Sequence, residues 1–191
     1  IESVLSSNIE TKVKGKLHVA NRNARRLLTL INQLLDLSKL EAGSMELKGK
    51  QHNIVSFLKS LFYSFESLAE SEKIILKFES EYENIPVVYD PDKMEKIFYN
   101  LISNALKFTS ANGEIKVYLK TKSQIYSSFT KKGKVGGSVE ISIKDTGKGI
   151  SKEHLPNIFN RFYQVDESST REYEGTGIGL ALTKELVELH N

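Results

Sequence analysis

The stretch NLISNALKFT, residues 100–109, carries the pattern from which the fold and the chemistry of this chain are inferred. Asn100, Asn104 and Lys107 are spaced by four and three residues, so on a helix all three project from one face. A carboxamide oxygen is a hard, neutral ligand that suits Mg²⁺, a metal that prefers oxygens and often bridges nucleotide phosphates. On this stretch alone, the alternative is that both asparagines only satisfy backbone groups in a buried helix.

Two glycine-rich segments follow this stretch: DTGKGI at residues 145–150 and GTGIGL at residues 175–180. Glycine lets the backbone approach a bulky anion, and a helix that begins in the second segment would point its free N–H groups and positive end at that anion. The spacing matches neither the Rossmann nor the P-loop pattern. Because turns and close helix packing use the same residues, neither segment identifies a site by itself.

Alternating strand-like stretches and helical stretches surround these motifs. The predicted strands lie at residues 45–50, 74–79, 87–89, 114–121 and 139–144. The predicted helices of this region lie at residues 54–70, 92–108 and 177–190. This order, with two hairpin-like neighbouring strands after residue 113, predicts an α+β fold in which helices cover one side of a mixed sheet. The lysine- and glycine-rich residues 123–138 are predicted to form a solvated hairpin loop.

A leucine-rich helix is predicted at residues 12–42, ahead of the α+β region. Its apolar residues recur at alternating steps of three and four, at Leu17, Ala20, Ala24, Leu27, Ile31 and Leu34. Such an a/d seam predicts a dimer surface, with ordinary packing inside one chain as the alternative. Gly43 is expected to end the helix as a left-handed cap. Residues 1–5 are interpreted as the end of a preceding helix and residues 6–8 as a connection, which together give one and a half arms of a helical hairpin.

Composition excludes several classes of protein. The 191 residues include no cysteine, which excludes a disulfide framework and a thiolate metal site. The formal net charge of +3 is too small to indicate a nucleic acid or membrane partner. Polar residues interrupt the leucine-rich stretch, so no membrane-spanning segment is predicted. The sequence begins at Ile1 without a signal peptide, and we expect it to be a fragment of a longer protein.

Together with Ile158-Phe159-Asn160-Arg161-Phe162, the three motifs resemble, in order, the N, G1, F and G2 boxes of sensor histidine kinases of two-component systems. Residues 12–42 resemble the second helix of that family's dimerisation and phosphotransfer hairpin, and residues 23–36 are similar to hybrid sensors of gut Bacteroidetes. The resemblance implies a partial hairpin at residues 1–43 and, at residues 44–191, a C-terminally truncated ATP-binding domain of the GHKL superfamily. That domain is a two-layer α/β sandwich, the Bergerat fold, with a mixed, mostly antiparallel sheet.

The resemblance implies ATP and Mg²⁺ as cofactors and gives each motif residue a role. Asn104 would coordinate Mg²⁺, Asn100 would support it, and Asp145 would accept the adenine amino group. Lys107 and Arg161 would lie near the phosphates, and with Asn100 they are the predicted catalytic residues. The other predicted ATP-binding residues are Phe108, Gly147, Gly149, Ile150, Phe162, Gly175, Thr176, Gly177, Gly179 and Leu180. Residues 159–176, with Ser168, Ser169 and Thr170, would form a lid over the triphosphate.

The residue at position 100 indicates the kind of reaction. Related ATPases of this fold carry a glutamate four residues before the metal-binding asparagine, where it activates water. Asn100 is an amide and cannot act as a general base, so the expected phosphoryl acceptor is a histidine in an upstream helix, for relay to a response-regulator aspartate. The alternative is an ATP-binding pseudokinase that acts as a nucleotide-gated interaction module. A water-using ATPase is disfavoured by Asn100.

The phosphoacceptor itself is missing from the sequence. None of His18, His52, His154 and His190 lies in the family's H-E-x-R-T-P-L setting, so we expect the acceptor upstream of Ile1. The resemblance further implies a homodimer through the hairpin and a response-regulator receiver domain as partner. It implies no nucleic acid partner and no membrane segment for this fragment, which would be a cytoplasmic part of a membrane-anchored sensor.

Overall fold

The computed structural model divides the chain into two compact units, Ile1–Met45 and Glu46–Asn191. The described residues are 2–122, 138–165 and 176–190, with side chains described from residue 13 onward. Several predictions therefore fall outside the described residues: nearly all of the loop at 123–138, and the lid and motif residues Ser168, Ser169, Thr170 and Gly175.

The first unit is a single helix, α1 (Glu2–Glu41). The connection predicted at residues 6–8 is therefore wrong, and so is the separate helix end before it; the unit holds one continuous helix. Serine and asparagine each cost a helix interior only about 0.5 kcal/mol relative to alanine, too little to interrupt it. The end is as predicted, because Gly43 adopts a φ of 61° and the Ser44 N–H donates to the Lys39 carbonyl over 3.0 Å. Neither α1 nor any other helix in the described part of the chain is long and apolar enough to cross a membrane.

The second unit alternates strands and helices. In chain order its described elements are β1 (Lys50–Asn53), α2 (Ile54–Tyr63), α3 (Glu66–Ser71), β2 (Ile75–Ser80), β3 (Pro86–Tyr89), α4 (Pro91–Phe108), β4 (Glu114–Lys122), β5 (Ser138–Asp145) and α5 (Gly179–Leu189). A short 3₁₀ turn lies at Leu155–Asn157, between β5 and α5. The helices predicted at residues 92–108 and 177–190 are confirmed as α4 and α5, to within two residues at each end.

The described strands form one sheet of two strands and one of three. β1 pairs with β3 in antiparallel orientation, while β4 lies between the parallel strand β2 and the antiparallel strand β5. The predicted mixed, mostly antiparallel arrangement is thus confirmed. In the β4–β5 pair, Ile115 lies opposite Asp145, which places the predicted adenine acceptor at the last residue of β5 and beside the start of β4.

The strand predicted at residues 45–50 begins only at Lys50, so most of that prediction is wrong. The backbone explains the difference, because the N–H group of Lys48 donates to the carboxylate of Asp90 over 2.8 Å instead of joining a strand ladder. Alternation of apolar and polar residues shows a tendency to extend but does not reveal where the backbone donors find their partners.

The helix predicted at residues 54–70 is divided into α2 and α3. The hydroxyl of Ser64 donates to the carbonyl of Leu61 over 2.6 Å, directly after the last residue of α2. A serine that bonds to the backbone in this way competes with the regular helical hydrogen bonds. The apolar periodicity continues across the break, with Phe65 also buried, so periodicity alone did not show it.

Strand β4 shows why the three-stranded sheet has two different faces. Ile115, Val117 and Leu119 are fully buried and belong to one core with the buried residues of α2 and α4. On the other face, Lys116 forms an exposed ion pair with Glu79, with 2.6 Å between the ammonium and the carboxylate. Burial stabilises by about 1.5–3 kcal/mol per aliphatic side chain, against about 0–1 kcal/mol for an exposed ion pair. The predicted two layers, with helices on one side of the sheet, are confirmed.

Candidate functional site

Helix α4, which carries the predicted metal-binding face, is fixed at its start by Asp90, a residue only 2% exposed. Its carboxylate accepts the N–H groups of Asp92 (3.1 Å), Lys93 (3.2 Å) and Lys48 (2.8 Å), and the ammonium of Lys93 (2.7 Å). Burial by itself raises the pKa of a carboxyl, but these hydrogen bonds and the charge of Lys93 outweigh it and lower the pKa of Asp90 to about 2. Asp90 was not predicted from the sequence, although an aspartate before Pro91 is typical of a helix start.

Asn100 lies at the contact between α4 and α5. Its Nδ2 donates to the hydroxyl of Thr183 over 2.8 Å, and Thr183 is only 5% exposed. On the other side of the amide, a Cβ atom added to Gly179 would lie 2.2 Å from the Asn100 Oδ1. The structure therefore brings together Asn100 and Gly179, two predicted site residues from different motifs. Thr183 was missed, because a threonine in an apolar helix gives no signal of its own.

Two lysines lie beside Phe108 at the end of α4. The ammonium of Lys107 is 4.8 Å from the centre of the Phe108 ring, and that of Lys148 is 5.3 Å from it. Cations at this distance are attracted to the face of an aromatic ring. Asn104 is half-buried on the turn before Lys107. The structure thus places two positive charges beside Phe108, of which only Lys107 was predicted from the sequence.

The turn after β5 is pressed against the end of α4. Asp145 Oδ1 accepts the N–H of Gly147 over 2.9 Å, and the N–H of Lys148 donates to the Phe108 carbonyl over 3.4 Å. A Cβ atom at Gly147 would lie 2.4 Å from that carbonyl oxygen. The protein itself therefore occupies the space that a side chain at position 147 would need. At Gly149, with a φ of 69°, a Cβ would have nothing within 4 Å, so the space there is open.

Thr146 ties the same turn to the start of β4, a role that was not predicted from the sequence. Its hydroxyl accepts the N–H of Glu114 over 2.9 Å, and its own N–H donates to the Glu114 carbonyl over 3.1 Å. These two bonds extend the β4–β5 pairing by one residue beyond Asp145. The backbone next to Asp145 is thereby held beside the start of β4, although the Asp145 side chain is exposed.

The F-box segment meets the beginning of α5 through its backbone. The N–H of Phe162 donates to the carbonyl of Gly177 over 2.8 Å, and a Cβ atom at Gly177 would lie 2.6 Å from the Phe162 carbonyl carbon. Both residues have a positive φ, 63° and 68° respectively. The next residue, Tyr163, is anchored by a 2.7 Å contact between its hydroxyl and Nδ1 of His154. Only glycine fits at position 177, where the φ is positive and the contact close.

Helix α5 begins directly after this contact. The hydroxyl of Thr176 accepts the N–H of Ile178 over 3.3 Å. Ile178 is the N-cap residue of α5, and its side chain makes no capping hydrogen bond. The first N–H groups of a helix have no partner within it and, with the helix dipole, they attract anions. The predicted residues Gly177, Gly179 and Leu180 all lie at this end, which suits the phosphates of a nucleotide.

Three further predicted residues lie in the same segments but take no part in the contacts above. Ile150 is exposed in the turn after β5, Arg161 is exposed immediately before Phe162, and Leu180 is half-buried in the first turn of α5. All three lie in the segments that contain the other predicted site residues.

The residues gathered here fit a Mg²⁺-bound nucleotide. The amides of Asn100 and Asn104 offer hard, neutral oxygens, while Lys107, Lys148 and the start of α5 complement phosphate charge. No cluster of three or more histidine, aspartate or glutamate side chains that could hold a metal occurs in the described ranges. A Mg²⁺ ion bound here would take oxygen ligands from the asparagine amides, from the phosphates and from water.

Comparisons with known proteins show which proteins this chain is similar to. "Histidine kinase P4" of Formosa agariphila is 40% identical over 182 residues, which cover 94% of this chain and 12% of that protein. Full-length ShkA, solved in complex with AMPPNP, has a TM-score of 0.69 and 26% identity over 86% of this chain and 31% of that one. Histidine kinase ThkA, solved in complex with the response regulator TrrA, has a TM-score of 0.56 and 22% identity over 75% and 38% of the two chains. The chain thus spans about an eighth of the length of the curated relative.

A family signature covers the part of the chain that holds the site. The signature described as "Histidine kinase-, DNA gyrase B-, and HSP90-like ATPase" matches residues 89–191, which is more than half of the chain. The matched part begins next to Asp90 and includes α4, the turn after β5 and α5. This chain belongs to the histidine kinase-, DNA gyrase B- and HSP90-like ATPase family.

Proposed function

We propose that this chain is the ATP-binding catalytic region of a sensor histidine kinase, which transfers the γ-phosphoryl group of ATP to a histidine imidazole. The observation that carries the proposal is the contact of α4 with α5, where the amide of Asn100 faces the start of an anion-attracting helix. An amide supports binding but does not remove a proton from water, so the phosphoryl group remains for a protein acceptor. The relative named as a histidine kinase and the ShkA complex with AMPPNP, an ATP analogue, support it.

The phosphates would lie between the amide face of α4 and the start of α5. Asn104 would hold Mg²⁺ with Asn100 beside it, and the bound metal would neutralise charge on the β- and γ-phosphates. Lys107 is proposed to orient the same phosphates, with Lys148 as a second cation. Arg161 is proposed to act near the γ-phosphate, because it lies next to the Phe162–Gly177 contact at the start of α5.

The adenine base would be recognised by Asp145. One oxygen of its carboxylate accepts the Gly147 N–H, and the other is proposed to accept the exocyclic amino group of adenine. Guanine carries a carbonyl oxygen at that position, which a carboxylate repels. Gly149 and Ile150 are proposed to lie along the base, because the space at Gly149 is open.

The accepting histidine is proposed to lie on another helix of the longer protein. Three of the four histidines in this chain have a structural contact: the ring of His52 packs on Tyr89, His154 contacts Tyr163, and Nδ1 of His190 is 2.7 Å from the Leu186 carbonyl. His18 is exposed on α1, without the sequence setting of a phosphoacceptor. In the transfer the bond from the γ-phosphorus to the bridging oxygen breaks, a phosphorus–nitrogen bond forms, and ADP leaves.

The remaining parts of the proposal concern assembly. Residues 1–43 are proposed to be part of a dimerisation hairpin, because apolar side chains of α1 such as Leu27 and Ile31 are 58% and 46% exposed. A response-regulator receiver domain is proposed as the phosphoryl acceptor from the histidine, as ThkA was solved with a response regulator. The region is proposed to act in the cytoplasm, within a membrane-anchored sensor. A pseudokinase is not supported, since the curated relative is named as a kinase.

Transfer can be tested with this chain and a separate helical hairpin that carries the H-E-x-R-T-P-L motif. With Mg²⁺ and γ-labelled ATP, acid-labile label should enter the hairpin and not the chain itself. Asn104→Ala should lower this transfer at least tenfold, an effect equal to about 1.4 kcal/mol. Asn84→Ala, in the exposed loop between β2 and β3, is the matched control. Label on one of the chain's own histidines, or release of free phosphate as fast as transfer, would contradict the proposal.

A further inference from the structure

Thr183 is a buried polar residue that the nucleotide site described above does not include. It lies on α5, one turn after Gly179, and its neighbours on the helix, Leu182 and Leu186, are apolar and buried. A hydroxyl in such surroundings is costly unless it is hydrogen-bonded. The partner that the structure gives it is the Nδ2 of Asn100, at 2.8 Å. Thr183 therefore contacts the site through one side chain of α4.

The amide of Asn100 is held from two sides. Thr183 accepts a hydrogen bond from the nitrogen end, and the oxygen end lies against Gly179, where a Cβ atom would be 2.2 Å away. The two ends of an amide have nearly the same shape, so hydrogen bonds decide which end points where; the Thr183 hydroxyl can donate as well as accept, and in this structure it accepts from Nδ2. With Nδ2 bonded to Thr183, Oδ1 is directed to the first residue of α5. An oxygen there can accept from a water on Mg²⁺ or ligate the metal, whereas an amide nitrogen cannot.

We propose that Thr183 is a positioning residue for Mg²⁺-nucleotide: by bonding to Nδ2 it holds the Oδ1 of Asn100 toward the site at the start of α5. The inference rests on the proposed function, since it needs a Mg²⁺-nucleotide to act on. Thr183 itself touches neither the nucleotide nor the metal. Its effect passes through Asn100, so it should be absent when Asn100 is absent.

Two substitutions at position 183 separate the hydrogen bond from the packing. Valine has nearly the same shape as threonine but leaves Nδ2 of Asn100 without its acceptor, whereas serine keeps the hydroxyl. The binding of AMPPNP is measured by calorimetry on the whole chain, with Mg²⁺ and with EDTA. Thr183→Val should weaken Mg²⁺-AMPPNP binding by roughly fivefold to tenfold, the loss expected for one buried hydrogen bond, and leave metal-free binding within about twofold. Thr183→Ser should bind as the wild type does.

The decisive comparison uses Asn100→Ala as background. There, Thr183→Val should cause no further loss of Mg²⁺-AMPPNP binding. A Thr183→Val effect that persists in this background, or that is equal with Mg²⁺ and with EDTA, would overturn the inference.

If thermal unfolding shows that Thr183→Val does not fold, Thr183→Ala replaces it in the same binding assay. Thr183→Ala should then lose Mg²⁺-dependent binding, whereas Thr183→Ser should keep it. If the wild type binds AMPPNP and Thr183→Val is unchanged, only the inference fails. If the wild type binds no nucleotide, the proposed function fails and the inference fails with it.

Discussion

Two glycines from different motifs contact the same helix, and they contact different kinds of atoms. Gly147, in the turn after β5, lies against the backbone carbonyl of Phe108, where a Cβ would be 2.4 Å from the oxygen. Gly179, at the start of α5, lies against the side-chain oxygen of Asn100, where a Cβ would be 2.2 Å away. The two distances are similar, but a carbonyl within a helix cannot move by itself, whereas a side chain can rotate.

The difference separates the parts that maintain the site's shape from the parts that perform its chemistry. Around Gly147 the nearest atom is the backbone oxygen of Phe108, and the carboxylate oxygen Oδ1 of Asp145 lies 2.8 Å from the added Cβ, so a change there displaces the turn and Asp145 with it. Around Gly179 the neighbouring atoms belong to the side-chain amide of Asn100, so a change there moves this amide and leaves the fold unchanged. The first contact should therefore control stability, and the second should control how the nucleotide is bound.

Gly147→Ala should have the largest effect, because the nearest atom, the Phe108 carbonyl oxygen, is backbone and cannot rotate away as a side chain can. We expect the free energy of unfolding to fall by about 2–3 kcal/mol, as for overpacked interiors, and nucleotide binding to be lost. Chemical denaturation and calorimetry provide the two readouts. Gly15→Ala, on α1 with nothing within 4 Å of the added Cβ, is the control and should not destabilise. Normal stability of the Gly147→Ala protein would show that the turn is not held against α4.

Asp145→Ala removes the carboxylate of the same turn that is proposed to bind adenine. The loss of a charge-assisted hydrogen bond should weaken ATP binding by one to two decades, or about 1.5–3 kcal/mol. Asp145→Asn is the informative partner, because it keeps an oxygen for the Gly147 N–H while it removes the charge. Equal binding of ATP and GTP by the wild-type protein in a calorimetric titration would contradict the assigned role in base recognition.

Acid should weaken the start of α4, the helix with which both glycines are in contact. The pKa of Asp90 is lowered from 3.8 to about 2, so its carboxylate stabilises the folded state fully above pH 4, and this contribution is lost as the pH falls through 2. The contribution is about 2 kcal/mol, because a tenfold change in the proton affinity of a group corresponds to about 1.4 kcal/mol. Asp90→Asn should remove this part of the acid sensitivity in denaturation curves between pH 5 and pH 2. An unchanged slope in the variant would mean that Asp90 is not the group responsible.

Gly179→Ala should have the smallest effect on stability, about 1 kcal/mol or less, because Asn100 can rotate away from the new methyl group. Rotation breaks the bond to Thr183, however, so the advantage that Mg²⁺ gives to AMPPNP binding should be largely lost. The pair Gly147→Ala and Gly179→Ala thus makes the comparison quantitative: the first should lower the melting temperature more, while the second should lower the Mg²⁺ dependence at nearly normal stability. Equal losses in both readouts would remove the distinction.

The sequence allowed the prediction of elements whose signal is local. Helix α4 has polar residues along one face and a proline at its first position, and apolar and polar residues alternate along β4 and β5. The structure confirms all three elements. The start of β1 was not predictable, because the N–H of Lys48 is taken by Asp90, which lies 42 residues further along the chain. The continuity of α1 was missed because polar residues at 6–8 were interpreted as a connection although they cost a helix little.

For the site, the sequence indicated which residues matter but not what they touch. The glycines of both motifs left two interpretations open, a close approach of the backbone to a ligand or close packing within the protein, and the structure shows close packing at Gly147, Gly177 and Gly179. Thr183 had no sequence signal, since its importance comes only from a contact 83 residues away. Contacts between residues so far apart in the sequence can be identified only in the folded structure, whereas the order of motifs can be found in the sequence itself.

A crystal structure of this chain with AMPPNP and Mg²⁺ would test the proposed nucleotide site most directly. We expect the adenine amino group on Asp145, the metal in contact with Asn104 Oδ1, and the γ-phosphate at the start of α5, with Asn100 still bonded to Thr183. A nucleotide bound away from α4, or a metal held without Asn104, would contradict the proposed site.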